Sequence, residues 1–291
     1  MMDTAELLKK VRKLEIKTKG LTKQIFSGEY HSAFKGRGMS FSEVRDYQYG
    51  DDVRNIDWNV TARTGGPHVK IFEEERELTV MLLIDVSASS FFGVSSRFKS
   101  DMMTELAAVI SFSAITNNDK VGAIMFSDRI EKYLPPKKGK QNILRIIREL
   151  LNLTPEKSGT NLSEALIYLN NIEKKRAIVF VLSDFMASGY QQALTIAAKK
   201  HDIVGVHIFD ERERVLPDVG LLHVEDAETG QKRLIDTSDA NIRTQYASFF
   251  ESNKERFQKD FALAKSDTIS ISTEEDYIKA MQVFFKRRSK R

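Results

Sequence analysis

The 291-residue sequence contains no cysteine. Without thiols the chain can form no disulfide, no thiolate nucleophile and no cysteine-ligated zinc or iron–sulfur centre. Any bound metal ion must therefore be held by oxygen or imidazole ligands. Histidine is also sparse and scattered, with no pair four residues apart, so the pattern does not indicate a zinc site. The five histidines are His31, His68, His201, His207 and His223.

Long apolar runs are missing as well. The runs at 78–84 and 178–182 have the length of strands, far below the roughly 18 residues that cross a bilayer. The sequence therefore predicts no membrane span. The first eight residues mix charged and apolar side chains, whereas a secretion signal has an unbroken apolar core. We therefore expect the protein to act in the cytoplasm.

A strong excess of one charge is absent. The formal net charge is +4 and the sequence pI is about 9.0, so only a mild attraction to an acidic partner follows. Part of the excess lies in the basic run 286–291, a pattern typical of a solvated helix end or tail. Nucleic acid is not an expected partner.

Hydrophobic residues make up 41% and charged residues 30% of the sequence, the balance of an ordinary folded protein. From Leu78 onward, strand-like apolar runs alternate with helix-like periodic stretches. This alternation predicts a doubly wound α/β fold with a mostly parallel sheet and helices on both faces. The predicted strands are 78–84, 120–126, 177–182, 203–209 and 268–271. The predicted helices are 97–116, 141–151, 161–172, 190–199, 241–264 and a final helix capped by Thr273.

The first of these helices carries a stripe expected to face the core, which includes Phe98, Met102 and Leu106. Two further strands, 221–225 and 232–235, predict a small hairpin insertion. Residues 1–77 contain few apolar runs. We expect them to form an amino-terminal helix and an Arg/Asp-rich strap that wraps the main domain, 78–291, with 69–72 as an edge strand.

Oxygen-bearing side chains follow the first buried strand, at Asp85, Ser87 and Ser89. Two later loops offer Thr160, before a helix, and Asp184, directly after a strand. In an open α/β sheet, ligands bind beyond the carboxyl ends of the strands, so these loops are expected to meet. Two carboxylates and three hydroxyls suit a hard divalent ion, Mg²⁺ first and Mn²⁺ or Ca²⁺ next.

Such an ion would keep net positive character and an open coordination position for an acidic side chain of a partner protein. The competing interpretation is that these hydroxyls only cap helices and turns. The five residues resemble the metal-ion-dependent adhesion site (MIDAS) of von Willebrand factor A domains, in spacing and in strand context. One departure is Asn161, where related sequences often carry an acidic residue.

The amino-terminal stretch resembles the family known as domain of unknown function 58. The motifs that carry this resemblance are Gly36–Phe41, Arg45–Tyr47, Gly50–Arg54, Ile56–Trp58 and Ala62–Arg63. Members commonly place this stretch before a von Willebrand factor A-like domain, and many carry transmembrane helices, unlike this sequence. The resemblance implies association with MoxR-type AAA+ ATPases, as an adaptor in protein maturation or complex assembly.

The charges of the strap allow two interpretations. Arg45, Arg54 and Arg63 can pair with the neighbouring aspartates in a structural network, since guanidinium and carboxylate match bidentately. Alternatively, they contribute to a partner surface beside the metal loop. Phe91 and Phe92 pose the same choice between packing under the loop and contacting a partner.

Two other functions compete with a metal-dependent, non-enzymatic interaction module. The first is a phosphoryl-transfer enzyme in which Asp85 is the nucleophile. Ser87 argues against it, because haloacid-dehalogenase-like enzymes usually need a second aspartate at that position. The second is a metal-free interaction protein that binds its partner through the Arg-rich strap. The sequence contains no Walker-type nucleotide motif and no dinucleotide fingerprint.

Overall fold

The computed structural model describes residues 39–74, 78–91, 93–94, 97–155, 159–226 and 230–290. The predicted amino-terminal helix, Phe92 and the turn at 227–229 lie outside these residues. The strands are β1 (Met39–Asp46), β2 (His68–Glu74), β3 (Thr79–Asp85), β4 (Gly93–Val94), β5 (Arg97–Phe98), β6 (Lys120–Phe126), β7 (Ile130–Lys137), β8 (Ile178–Ser183), β9 (Asp202–Phe209), β10 (Leu221–Glu225), β11 (Lys232–Asp236) and β12 (Asp267–Ser272). The α-helices are α1 (Trp58–Thr64), α2 (Lys99–Thr116), α3 (Lys140–Asn152), α4 (Leu162–Ile172), α5 (Gln191–Lys200), α6 (Glu211–Arg214), α7 (Ala240–Leu263) and α8 (Tyr277–Ser289).

Among the described residues, the central sheet has six strands in the order β12-β9-β8-β3-β6-β7. All neighbours run parallel except β7, which is antiparallel to β6. The apolar strands β3 and β8 lie in the middle because each is buried almost throughout, on both faces of the sheet. The edge strand β7 was not predicted. It contains Pro135 and Pro136, and proline within a strand is tolerated at an edge.

Alternate residues of β3 point into two separate apolar cores, as the period of a strand requires. Leu82 packs in one core with Leu106 of α2 and Met281 of α8. Leu83 packs in the other with Leu166 of α4 and Phe257 of α7. A mostly parallel sheet with helices on both faces confirms the predicted mixed α/β class.

The predicted start of helix α2 and the predicted burial of Phe98 were wrong. Helix α2 begins at Lys99 rather than at 97, because Arg97 and Phe98 form β5, which pairs with β4. Phe98 is therefore 38% exposed instead of facing the core, whereas Met102 and Leu106 are buried as predicted.

The last helix, α8, is capped by Asp276, whose side chain accepts a hydrogen bond from the Ile278 amide. Thr273 was predicted to be this cap. Its hydroxyl instead donates to Asp210 Oδ2 at 2.9 Å, and so links the end of β12 to the end of β9. At the predicted hairpin, β10 and β11 pair antiparallel.

The predicted strand at 69–72 forms within β2, but it pairs antiparallel with β1 in a separate two-stranded sheet. It is therefore not an edge strand of the central sheet. Helix α1 lies between these strands in sequence. It is capped by Asp57, and Gly65 ends it with a φ of 77° in the left-handed region. The wrapping of the main domain by this unit stays a prediction.

Gly205 of β9 lies under two aromatic rings of α7. A Cβ at this position would lie 2.6 Å from Phe261 Cε1 and 2.8 Å from Phe257 Cε2. We expect Gly205→Ala to lower the free energy of unfolding by about 1–3 kcal/mol, because both buried rings must move. Urea unfolding measures this loss. Gly66→Ala is the matched control, since a Cβ there meets no atom within 4 Å. Equal stability of the two variants would contradict the close packing of α7 on β9.

Candidate metal centre

The three loops predicted to form the site meet at one edge of the sheet, around the end of β3. Asp85 is the last residue of β3, which lies between β8 and β6. Asp184 directly follows β8. The loop that carries Thr160 is tied to the end of β6, where the Asn161 amide donates to the Ser127 carbonyl at 2.7 Å.

The Asp85 carboxyl is 1% exposed and both of its oxygens accept hydrogen bonds. Oδ1 accepts from the Ser87 amide at 3.0 Å, and Oδ2 accepts from Ser183 Oγ at 2.6 Å. Burial, and then the negative charge of Asp184, raise the pKa of Asp85 to about 6. The two carboxylates are therefore close enough to repel each other.

The serines of the loop lie between the two aspartates in the hydrogen-bonding loop that follows Asp85. Ser87 Oγ and Ser89 Oγ are 3.1 Å apart, and Ser87 is fully buried. The Ser89 side chain lies close enough to Asp184 to contribute to lowering the pKa of that carboxyl. Asp85, Ser87 and Ser89 thus form one hydrogen-bonded set, and Asp184 lies beside it. Thr160 is half-buried in the adjoining loop.

Two charged residues that were not predicted complete the surroundings of this set. Lys99, the first residue of α2, has a side chain with no exposed surface. Its Nζ lies 2.8 Å from Asp184 Oδ2 and 2.6 Å from Glu213 Oε1 of α6. Burial alone would lower the pKa of Lys99, but the charges of Asp184 and Glu213 outweigh it and raise that pKa.

Lys99 lowers the pKa of both acids, but the net shifts of the two differ. Burial tends to raise the pKa of Asp184, yet the nearby Lys99 charge lowers it below its ordinary value. Burial prevails for Glu213, whose pKa is raised despite the contact with Lys99.

The donor chemistry of the set fits a hard divalent cation. It consists of carboxylate and hydroxyl oxygens, the ligands that Mg²⁺ and Ca²⁺ prefer. Among the described residues, no cluster of three or more histidine or acidic side chains could hold a metal ion. A cation at this edge of the sheet must therefore rely on the hydroxyls. Asp85, Ser87, Ser89, Thr160 and Asp184 are the residues that would hold it.

The predicted arginine network of the strap forms only in part. Arg45 pairs bidentately with Asp51, through hydrogen bonds of 2.9 and 2.8 Å. Arg54 contacts Asp52 at 3.2 Å from a largely exposed position. Asp57, by contrast, caps α1 and lies 3.5 Å from Lys70.

The other candidate partner residues divide between described and undescribed positions. Arg63 is exposed on α1, and Trp58 of the same helix is 69% exposed. Phe91 ends the short 3-10 helix that follows Ser87. Its side chain and all of Phe92 lie outside the described residues, so their predicted partner role stays a prediction.

A model of the protein family described as "Protein of unknown function DUF58" matches residues 43–256. The chain belongs to this family. The match includes the strap from residue 43 onward and the sheet edge that carries the candidate site. An uncharacterized protein of Mycobacterium tuberculosis is 29% identical over 280 residues, which are 95% of this chain and 88% of the relative. A second relative, from Mycobacterium avium, is 25% identical over 158 residues, 53% of this chain and 93% of the relative.

The solved structures to which the chain is similar are more distant in sequence. BatB from Bacteroides thetaiotaomicron is 17% identical, with a TM-score of 0.48 over 74% of this chain and 100% of BatB. The VWA domain of SpRpn10 is 13% identical, with a TM-score of 0.37 over 70% of this chain and 93% of that domain. Each helix in the described part of the chain is too short or too polar to cross a membrane. The expected cytoplasmic location stays a prediction.

Proposed function

We propose that this DUF58 protein is a non-enzymatic, metal-dependent protein interaction module with a von Willebrand factor A-like core. The observation that carries the proposal is the arrangement at the carboxyl ends of the central strands: Asp85, Ser87 and Ser89 share hydrogen bonds, and Asp184 is close enough to raise the pKa of Asp85. With Thr160, these residues would bind Mg²⁺, or else Mn²⁺ or Ca²⁺. A bound cation supplies a positive charge that an acidic side chain of a partner protein can ligate.

The environment of Asp85 supports binding over catalysis. A nucleophilic carboxylate must reach the phosphorus atom of its substrate, yet Asp85 is 1% exposed and each of its oxygens already accepts a hydrogen bond. Ser87 provides no second carboxylate for acid–base chemistry. These features favour a cation ligand over a phosphoryl-transfer nucleophile.

We further propose that the partner is a MoxR-type AAA+ ATPase and that the protein acts as its adaptor in protein maturation or complex assembly. This role is what the resemblance to the DUF58 family implies. The strap supplies a second contact surface, since Trp58 is 69% exposed and the Arg54 side chain is 88% exposed. Binding through the strap alone, without metal, is the alternative that this exposure favours.

Calorimetric titration of the metal-free protein with Mg²⁺ and Mn²⁺ tests the site. We expect saturable binding by the wild type. Asp85→Ala removes a carboxylate and is expected to weaken binding at least about tenfold, which is about 1.4 kcal/mol. Asp101→Ala is the matched control, because it removes an exposed carboxylate of α2. Absence of binding by the wild type would overturn the metal-dependent function.

Pull-down of a purified MoxR-type ATPase then tests the partner. We expect Mg²⁺-dependent capture that EDTA and Asp85→Ala both abolish. Capture that is indifferent to metal but lost in Trp58→Ala or Arg54→Ala would favour the metal-free alternative. Hydrolysis of a generic phosphoester that disappears in Asp85→Ala would instead support the enzyme.

A further inference from the structure

The ammonium of Lys99 is buried within the candidate metal centre. Lysine is unfavourable at the amino terminus of a helix, where the backbone dipole presents partial positive charge. Lys99 is nevertheless the first residue of α2, and its side chain is fully buried. Burial of an ammonium is tolerated only with charged partners, which are here Asp184 and Glu213.

Lys99 is hydrogen bonded to the carboxylate of Asp184, which a bound cation would need as a ligand. Asp184 Oδ2 accepts from Lys99 Nζ at 2.8 Å, and Asp184 Oδ1 accepts from the Met186 amide at 3.2 Å. The Met186 amide is a backbone group, next to the buried Phe185 with its φ of 51°. The lysine side chain is held by rotatable single bonds. Of the two donors, Lys99 is therefore the one that can leave.

Electrostatic repulsion also indicates that Lys99 is the donor that leaves Asp184. A divalent cation and an ammonium on one carboxylate repel each other, and the repulsion is strong where water is excluded. A second anchor is available for the ammonium, since Glu213 Oε1 lies 2.6 Å from Nζ. Glu213 is itself fixed by the Asp210 amide, which donates to Oε2 at 2.9 Å. The lysine can thus withdraw towards Glu213 without leaving the protein interior.

We propose that Lys99 is a resident competitor for the metal: it neutralises Asp184 in the metal-free protein and must break that contact before Asp184 can ligate a divalent cation. The inference rests on the proposed function, because it presumes that this centre binds a cation. Lys99 thereby sets the affinity of the site and keeps the metal-free protein folded.

Calorimetry with Lys99→Met measures the competition. We expect Mg²⁺ to bind Lys99→Met about tenfold more tightly than the wild type, because no ammonium has to be displaced. Lys254→Met is the matched control. The charges of Lys254 and Lys99 both lower the pKa of His207, so both act in the same region. Lys254, however, pairs with Glu251. The Lys254→Met variant is therefore expected to change the affinity for Mg²⁺ by about twofold or less.

A measurement on the wild type keeps the test independent of whether Lys99→Met folds. In protein labelled with ¹⁵N-lysine, the Lys99 ammonium resonance is identified by its loss in Lys99→Arg. Saturating Mg²⁺ is expected to shift it, while the exposed Lys259 resonance stays unchanged. Wild-type binding with an unmoved Lys99 resonance and no tighter binding by Lys99→Met would overturn the competition alone. No Mg²⁺ binding by either protein would overturn the competition and the metal-dependent function together.

Discussion

Lys99→Met is expected to lower the free energy of unfolding by about 3–5 kcal/mol at pH 7 in metal-free buffer. The substitution keeps the bulk of the side chain but removes the charge that Asp184 and Glu213 share at 2.8 and 2.6 Å. Both acids are then left buried without their cation. Breaking one side of a buried ion pair is costly for this reason, even where the intact pair adds little net stability. Urea unfolding of both proteins measures the loss.

The pH dependence of that loss identifies its cause. The stranded carboxyls of Lys99→Met can take up protons, so their pKa values rise and the variant recovers stability relative to the wild type as the pH falls towards 5. A cost that stays constant with pH would point to altered packing instead.

Two variants serve as controls for this experiment. Lys254→Met breaks a partly exposed pair and is expected to cost less than about 1 kcal/mol. The triple variant Lys99→Met, Asp184→Asn, Glu213→Gln neutralises the whole buried group and is expected to recover much of the loss. A single-variant cost below about 1 kcal/mol would contradict the role of Lys99 in neutralising Asp184.

The interior of the fold was predictable because apolar runs mark buried strands. The predicted strand 120–126 forms with the predicted bounds, and the predicted helix 161–172 begins at Leu162 with Asn161 as its cap. The edges were less predictable. Strand β7 is mostly exposed or half-buried, and its sequence mixes charged residues with two prolines. It therefore contains no apolar run from which a strand could be predicted. Phe98 fits a helical period, yet pairing of β5 with β4 decides its conformation.

The aspartates of the candidate site were predictable from topology alone. Carboxyl ends of neighbouring parallel strands meet at one edge, which brings Asp85 and Asp184 together across 99 positions of sequence because β3 pairs with β8. Glu213 is 114 residues from Lys99, and no local pattern records their contact. The available signal was Lys99 itself. A lysine as the first residue of a largely apolar helix is unfavourable beside the helix dipole, and this indicates an acidic partner.

The strap shows the limit of reasoning from charge alone. Alternating arginines and aspartates predicted a network, and Arg45 with Asp51 forms such a pair. Asp57 satisfies backbone amides at the start of α1 instead. A carboxylate one residue before a helix start serves as a cap as readily as it serves an arginine, and the helix at Trp58–Thr64 was not predicted.

Acid is expected to destabilise the protein through His207, by about 3 kcal/mol between pH 6.5 and pH 4. His207 of β9 is 4% exposed and stacks on Phe209 with ring centroids 5.2 Å apart. Phe257 lies against it at 5.5 Å. Nδ1 has no hydrogen-bond partner among the described residues. Burial in this aromatic group lowers the pKa of His207 to about 4.

The direction of the effect follows from proton uptake. Between pH 6.5 and pH 4, the unfolded chain binds a proton at His207 and the folded protein does not, so each step down in pH favours unfolding. His207→Phe removes this site while keeping an aromatic ring in the stack. Urea unfolding at pH 7, 5.5 and 4.5 is therefore expected to show that the variant loses less free energy of unfolding than the wild type as the pH falls.

Any cost of fitting the larger ring lowers the free energy of unfolding of the variant equally at every pH. His201 and the carboxyls titrate in both proteins, and the exposed His223→Phe on β10 is expected to keep the wild-type slope. Parallel curves for wild type and His207→Phe would show that the folded protein binds the proton at His207 as readily as the unfolded chain, and would contradict this prediction.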